Sequence, residues 1–162
     1  MILLWLLPLA AILHIIEEFV FPGGFAAWYR NYKVSLAGSF TARYLVIVNV
    51  VLVVLCTLPL LMDPLNGIAL WLSMAAVVFF NSFFHIRSVI KTKKYSPGVV
   101  TSVFVYIPLA TFGYWFFLSS GRTSTEQAVA SSAIGIGYWI FASLNHRRRA
   151  RASSTTKPGD AT

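Results

Sequence analysis

The chain has 162 residues, of which 57% are hydrophobic, 15% aromatic and only 11% charged. Apolar stretches of about 18 residues or more recur along nearly its whole length, which excludes an ordinary soluble domain and predicts a multi-pass helical membrane protein. The net charge of +8 is no sign of nucleic acid, because the basic residues stand in short blocks beside apolar spans, where orientation in a bilayer accounts for them. The single cysteine, Cys56, lies in an apolar run, so there is neither a disulfide framework nor a Cys-based metal motif.

In chain order, the first span is expected over residues 2–21, with a kink at Pro8 and a stop at Pro22-Gly23-Gly24. No Lys or Arg precedes it and no small-residue cleavage site follows, which argues against a removed signal peptide. Residues 25–33 (FAAWYRNYK) mix aromatics with Arg30 and Lys33, a composition for a short interfacial segment. The second span runs over about 40–62 and carries Asn49 in its interior. Asp63-Pro64-Leu65-Asn66-Gly67 reads as a tight turn. The third span starts near Ile68, carries Asn81 and His85, and runs into Arg87, Lys91, Lys93 and Lys94.

Ser96 as N-cap with Pro97 at the first helical position opens the fourth span, over about 97–118, with a kink at Pro108. Ser119-Ser120-Gly121 breaks it, and the fifth span covers about 123–145. Glu126 sits in its first turn, where a helix N-terminus favours a carboxylate. Ser131 with Gly135, and Ala133 with Gly137, are small residues four apart that allow close helix packing. The expected architecture is an all-α, polytopic bundle of about five transmembrane helices plus the interfacial segment. Residues 1–146 form one domain, and 147–162 form a basic, disordered cytoplasmic tail that leaves His146 solvated.

Five spans put every Lys and Arg except Arg122 on one side. By the positive-inside rule that side is cytoplasmic, so the N-terminus is outside, the C-terminus inside, and the expected location is the cell (inner, cytoplasmic) membrane.

His14-Ile15-Ile16-Glu17-Glu18 lies inside the first span, although a charged side chain there costs about 2.5–3.5 kcal/mol on insertion scales. Positions i, i+3 and i+4 share a helix face, so His14, Glu17 and Glu18 are expected to point the same way. His85 and Asn81, four apart, and Asn49 lie at similar depth from the basic side. The strongly polar intramembrane residues thus sort into one leaflet and predict one pocket opening to the cytoplasm. His14, Glu17, Glu18 and His85 are its expected catalytic or metal-ligating residues. Asn49, Asn81 and Arg43 are expected to line it, with Arg43 either pairing with Glu17 or Glu18 or serving only as a flanking anchor.

The motif His14-x-x-Glu17-Glu18 resembles the signature of the HxxEE family of small bacterial integral-membrane proteins. Asn81-Ser82-Phe83-Phe84-His85 and Tyr95-Ser96-Pro97-Gly98 fit the same pattern. The resemblance covers the chain from about His14 into the fifth span, and it implies these site residues rather than a reaction.

Three chemistries remain open on the sequence. Imidazole and carboxylate ligands suit a divalent Fe, Mn or Zn in a membrane enzyme acting on a hydrophobic or amphiphilic, lipid- or isoprenoid-like substrate. The same residues allow a metal-free acid–base isomerase or cyclase, with Tyr44, Phe79, Phe80, Phe83 and Phe84 as aromatic walls. A non-enzymatic binding protein or proton relay is the third. The partners expected are the bilayer and an apolar or amphiphilic small molecule, with no nucleic acid.

Overall fold

The computed structural model describes residues 2–20, 24–32 and 41–155, and the stop expected at Pro22-Gly23 and the start of the second span at Phe40 lie outside them. Among the described residues there are six helices and no strand. They are α1 (Ile2–Val20), α2 (Gly24–Tyr32), α3 (Ala42–Thr57), α4 (Pro64–Thr92), α5 (Val99–Ser119) and α6 (Thr125–Thr155). All but α2 are long and apolar enough to cross a membrane, α3 together with the 3-10 turn Leu58–Leu60 that continues it. The nine residues of α2 reach only about 14 Å, less than half a hydrocarbon core, as an interfacial segment would.

The caps explain where the helices begin. Thr41 accepts the Tyr44 N–H at the head of α3. Asp63 accepts the Asn66 backbone and side-chain N–H groups at 3.1 and 2.8 Å, with Pro64 at the first helical position. Those bonds hold the Asp63 carboxyl below its ordinary range. The residues expected to form a turn, 63–67, are therefore the capped start of α4, and the third span begins at Pro64 rather than Ile68. At the other end Lys93 adopts a left-handed φ of 54° and returns its N–H to Val89.

The kink expected at Pro108 takes a definite form. Proline has no N–H and its ring clashes with the carbonyl four residues back. The helix absorbs this by a π-helical turn over Ser102–Tyr106, closed by the Ile107 N–H on the Ser102 carbonyl. The last helix also departs from expectation. It continues past Asn145 to Thr155, because the Arg- and Ala-rich run holds no helix breaker. The basic segment from Arg147 is thus helical to that point, and residues 156–162 lie outside those described.

Helix α4 is the most buried span and α3 and α6 are the least. Trp71, Leu72 and Ala75 of α4 meet Leu7 and Ala11 of α1, Cys56 of α3, and Tyr106, Ala110 and Phe117 of α5. The Trp71 indole lies directly on Gly113, where any side chain would collide with it. Gly135 lets α6 approach α4 so closely that an added Cβ would stand 2.6 Å from that of Ala76. Of the two small-residue pairs, Ser131/Gly135 makes that contact, and Gly137 faces open space. This packing gathers the end of α1, the start of α3, the last turns of α4, the start of α5 and the end of α6 at one end of the bundle. Helix α2 lies there too, tied down by the Trp28 indole N–H on the Tyr95 carbonyl at 2.6 Å.

Candidate functional site

His14 and Glu18 stand one helical turn apart on α1, and His85 approaches from α4. The Glu18 Oε1 lies 3.5 Å from Nε2 of both histidines. All three residues are buried, the histidines almost completely at 2% and 1% exposure. Their rings meet edge to face with centroids 4.9 Å apart. One ligand atom from each residue lies within 4.8 Å of the others. Among the described residues the His14 Nε2 has no hydrogen-bond partner, a costly state for a buried polar atom unless something else engages it. A tetrahedral metal with bonds of about 2.0–2.2 Å spaces its donors about 3.4 Å apart, close to the two carboxylate–imidazole separations of 3.5 Å. Three protein ligands and an open fourth position is also the pattern of catalytic rather than structural sites.

Glu17 has a different place. Its carboxylate accepts from the Tyr95 hydroxyl at 2.7 Å, from the Val100 and Thr101 backbone N–H groups at 3.0 and 2.7 Å, and from the Thr101 hydroxyl. It thereby caps the N-terminus of α5 from another helix, where orphan N–H groups and the helix dipole favour an anion. The expectation that Glu17 joins His14, Glu18 and His85 in one cluster is corrected: three of the four converge. The N-cap expected of Ser96 is corrected by the same contacts. Helix α5 starts at Val99 after Gly98, and Ser96 is buried with its carbonyl accepting the Val99 N–H. Tyr95 lies outside the spans, and burial together with its bond to Glu17 pushes its phenol well up.

Thr101 joins the two halves. Its hydroxyl oxygen lies 2.7 Å from the His14 Nδ1. A hydroxyl has one proton, and here it goes to the Glu17 carboxylate, so the oxygen accepts from Nδ1–H. This chain from Glu17 through Thr101 to His14 places a proton on Nδ1, so in the neutral ring Nε2 carries the lone pair and faces Glu18.

The Tyr95-Ser96-Pro97-Gly98 loop closes the site from beneath. Gly98 has φ +90°, and a Cβ there would stand 2.6 Å from His85 Cε1 and 2.7 Å from His14 Cε1. Only glycine combines that conformation with that contact. The π turn carries the Tyr106 ring to 4.6 Å from His14, its hydroxyl buried without a hydrogen-bond partner among the described residues.

His14, Glu18 and His85 all line a cavity of about 1350 Å³ between α3, α4 and α6. Asn49 and Asn81 line it as expected. Asn49 donates to the Leu45 carbonyl, and the Asn81 amide nitrogen lies 3.3 Å from His85 Nε2. Of the aromatic walls expected, Tyr44, Phe80, Phe83 and Phe84 face the cavity and Phe79 does not. Arg43 is exposed and outside the lining, and among the described residues the ion-pair partners of Glu18 are the two histidines. The structure thus corrects the placing of Arg43. His146 is half-buried in the lining, edge-on to Tyr44 at 5.6 Å, rather than solvated.

Thr101, Gly98 and Tyr106 escape a reading by residue type. Gly98 carries two signals, its place in the Tyr95-Ser96-Pro97-Gly98 pattern and its position directly after a proline between two spans. Thr101 carries none, because its role depends on a carboxylate from another helix. No curated protein and no solved structure matches the chain. The profile of the family described as proteins of unknown function with an HXXEE motif matches residues 5–113, a stretch that holds His14, Glu17, Glu18, His85, Gly98, Thr101 and Tyr106, and the chain belongs to that family.

Proposed function

We propose that this protein is an integral-membrane enzyme that acts on an apolar or amphiphilic substrate, with a divalent metal held by His14, Glu18 and His85. The observation that carries this reading is the cluster itself: two imidazole nitrogens each 3.5 Å from one carboxylate oxygen, buried in a bundle, at the wall of a large cavity. Burying an unpaired carboxylate among spans is costly, and a cation between these donors offsets that cost. When bound, such a metal supplies Lewis acidity or an activated water at its open position. His14 presents Nε2 because Thr101 holds Nδ1, Gly98 and Tyr106 bracket the imidazoles, and the aromatic walls limit water at the site. The asymmetry of Lys and Arg supports a cell-membrane location with the cavity mouth on the cytoplasmic side.

Asn81 favours a second reading. If its amide N–H donates to His85 Nε2, that lone pair is engaged, and Glu18 with the histidines would serve as a metal-free proton donor and acceptor pair.

Elemental analysis of the detergent-purified protein separates the two. About one equivalent of Fe, Mn or Zn, lost in both His14→Ala and His85→Ala, is the expected result. A folded wild type from metal-replete medium that carries no metal would overturn the metal reading in favour of the acid–base one.

A further inference from the structure

We infer that the cavity takes an amphiphile with an anionic head group, phosphate or carboxylate, seated between Arg87 and Lys91 of α4 and Arg147 and Arg151 of α6. This deepens the proposed function by naming the substrate class, and it rests on that reading for the chemistry after binding.

Two helices contribute the basic residues in the same register. Arg87 and Lys91 are four apart on α4, Arg147 and Arg151 four apart on α6, and all four line the cavity. Residues four apart share a helix face, so each pair edges the cavity as a unit, with its side chains exposed at the mouth. The positive-inside rule explains basic residues near this end of the bundle, but it does not select a face. Lys93, Lys94 and Arg148 are equally exposed but stand outside the lining, as does Arg149, which lies over the Tyr44 ring. Among the described residues Glu18 is the only acidic one in the lining. Arginine forks bind phosphate or carboxylate in pairs of parallel hydrogen bonds.

Below the basic residues the walls turn apolar, through Phe80, Trp139 and Leu52. The volume of about 1350 Å³ exceeds the roughly 300–1,000 Å³ of common small-molecule sites, which leaves room for a chain as well as a head. His85 lies two residues before Arg87 and six before Lys91, about 3 and 9 Å along the axis of α4. A head group held at the mouth therefore sets the first bonds of its chain at the level of His14, Glu18 and His85. Helices α3 and α6 pack mainly on other neighbours and meet where Arg149 stacks on Tyr44 at 3.7 Å, so the cavity has a side facing lipid through which a chain could enter.

The test is binding of dodecyl phosphate to the purified full-length protein in a neutral detergent, at fixed ionic strength, followed by tryptophan fluorescence. Dodecyltrimethylammonium, dodecyl glucoside and inorganic phosphate are measured beside it, and nanodiscs with phosphatidylglycerol or phosphatidylcholine test a bilayer lipid as the source of the head group. Saturable binding of dodecyl phosphate at least roughly tenfold tighter than of the cationic or neutral amphiphile is expected. Arg147→Gln combined with Arg151→Gln, and Arg87→Gln alone, should weaken it by roughly tenfold or more, and Arg148→Gln should not. Retention of phosphatidylglycerol that depends on the same arginines would assign the head group to a membrane lipid; binding of dodecyl phosphate alone would assign it to a single-chain substrate. Equal binding of the neutral amphiphile overturns the inference, as does equal binding of inorganic phosphate or full affinity in the arginine variants. Metal content measured in the same preparations keeps the two proposals apart, since a metal-loaded protein indifferent to the head group defeats only this inference.

Discussion

Glu17 and Glu18 are adjacent on α1, yet their carboxylates serve different structures. Glu18 faces His14 and His85, whereas Glu17 closes the N-terminus of α5. Conservative substitutions should therefore separate metal binding from stability. Glu18→Gln should lose the metal and keep the fold. Glu17→Gln turns an amide donor towards backbone N–H groups and should cost about 2–3 kcal/mol, read as a lower thermal midpoint, while the protein that folds retains metal. Equal metal loss in both variants would contradict this division.

The Glu17–Thr101–His14 chain makes Thr101 a positioning residue. Thr101→Val keeps the shape and removes the hydroxyl, so metal affinity should fall by about 10–100-fold, the usual cost of losing such a partner. Thr101→Ser should restore most of it. A chelator competition titration at constant pH reads both, and unchanged affinity in the valine variant would count against the chain.

Gly98 and Gly121 both have positive φ, +90° and +65°, but only Gly98 has neighbours. Gly121→Ala should cost only the backbone strain, about 1–2 kcal/mol. Gly98→Ala adds a methyl group that would displace both imidazoles, and it should abolish metal binding even where the protein still folds. Metal content beside thermal midpoints for the two variants checks the contrast.

The response to alkaline pH is set by Tyr95. Burial first, and then its bond to Glu17 and the nearby carboxylate charge, raises its phenol in the folded state. An unfolded tyrosine titrates near about 10. The stability that neutral Tyr95 contributes is thus intact below that pH and is lost as pH rises above it. Unfolding curves between about pH 8 and 11 should show stability unaffected by Tyr95 up to near pH 10 and falling above it, with a shallower fall in Tyr95→Phe. Some decline should remain, because burial raises the Tyr29 phenol as well. Identical slopes in the two proteins would remove Tyr95 from the account.

Much of this was legible in the residues themselves. Long apolar runs give the five spanning helices, and polar residues inside them single out His14, Glu18, His85, Asn49 and Asn81, because such residues are expensive in a membrane and need a reason. Helical spacing alone misled on Glu17. Positions three and four apart share a face, but that face is broad enough for neighbouring carboxylates to reach different helices. Arg43 lies at the start of the second span, as a pocket residue or a flanking anchor would, and α3 turns it outwards. The end of α6 was set by hydropathy, which says where a span leaves the apolar layer and nothing about where its hydrogen bonding stops.

The π turn at Ser102–Tyr106 lets the two parts of α5 keep separate phase. A π turn holds one residue more than the α-helical turn it replaces, so it rotates the helix on its N-terminal side by about 100° relative to the helix on its C-terminal side. Ile107–Ser119 can thus seat Gly113 and Phe117 against Trp71, while Thr101 and Tyr106 turn independently towards His14. Deleting one residue within 102–106 would bring the whole helix into one phase, and it could then satisfy the core or the imidazole but not both. The inserted residue acts as a coupling between two gears cut to different pitches.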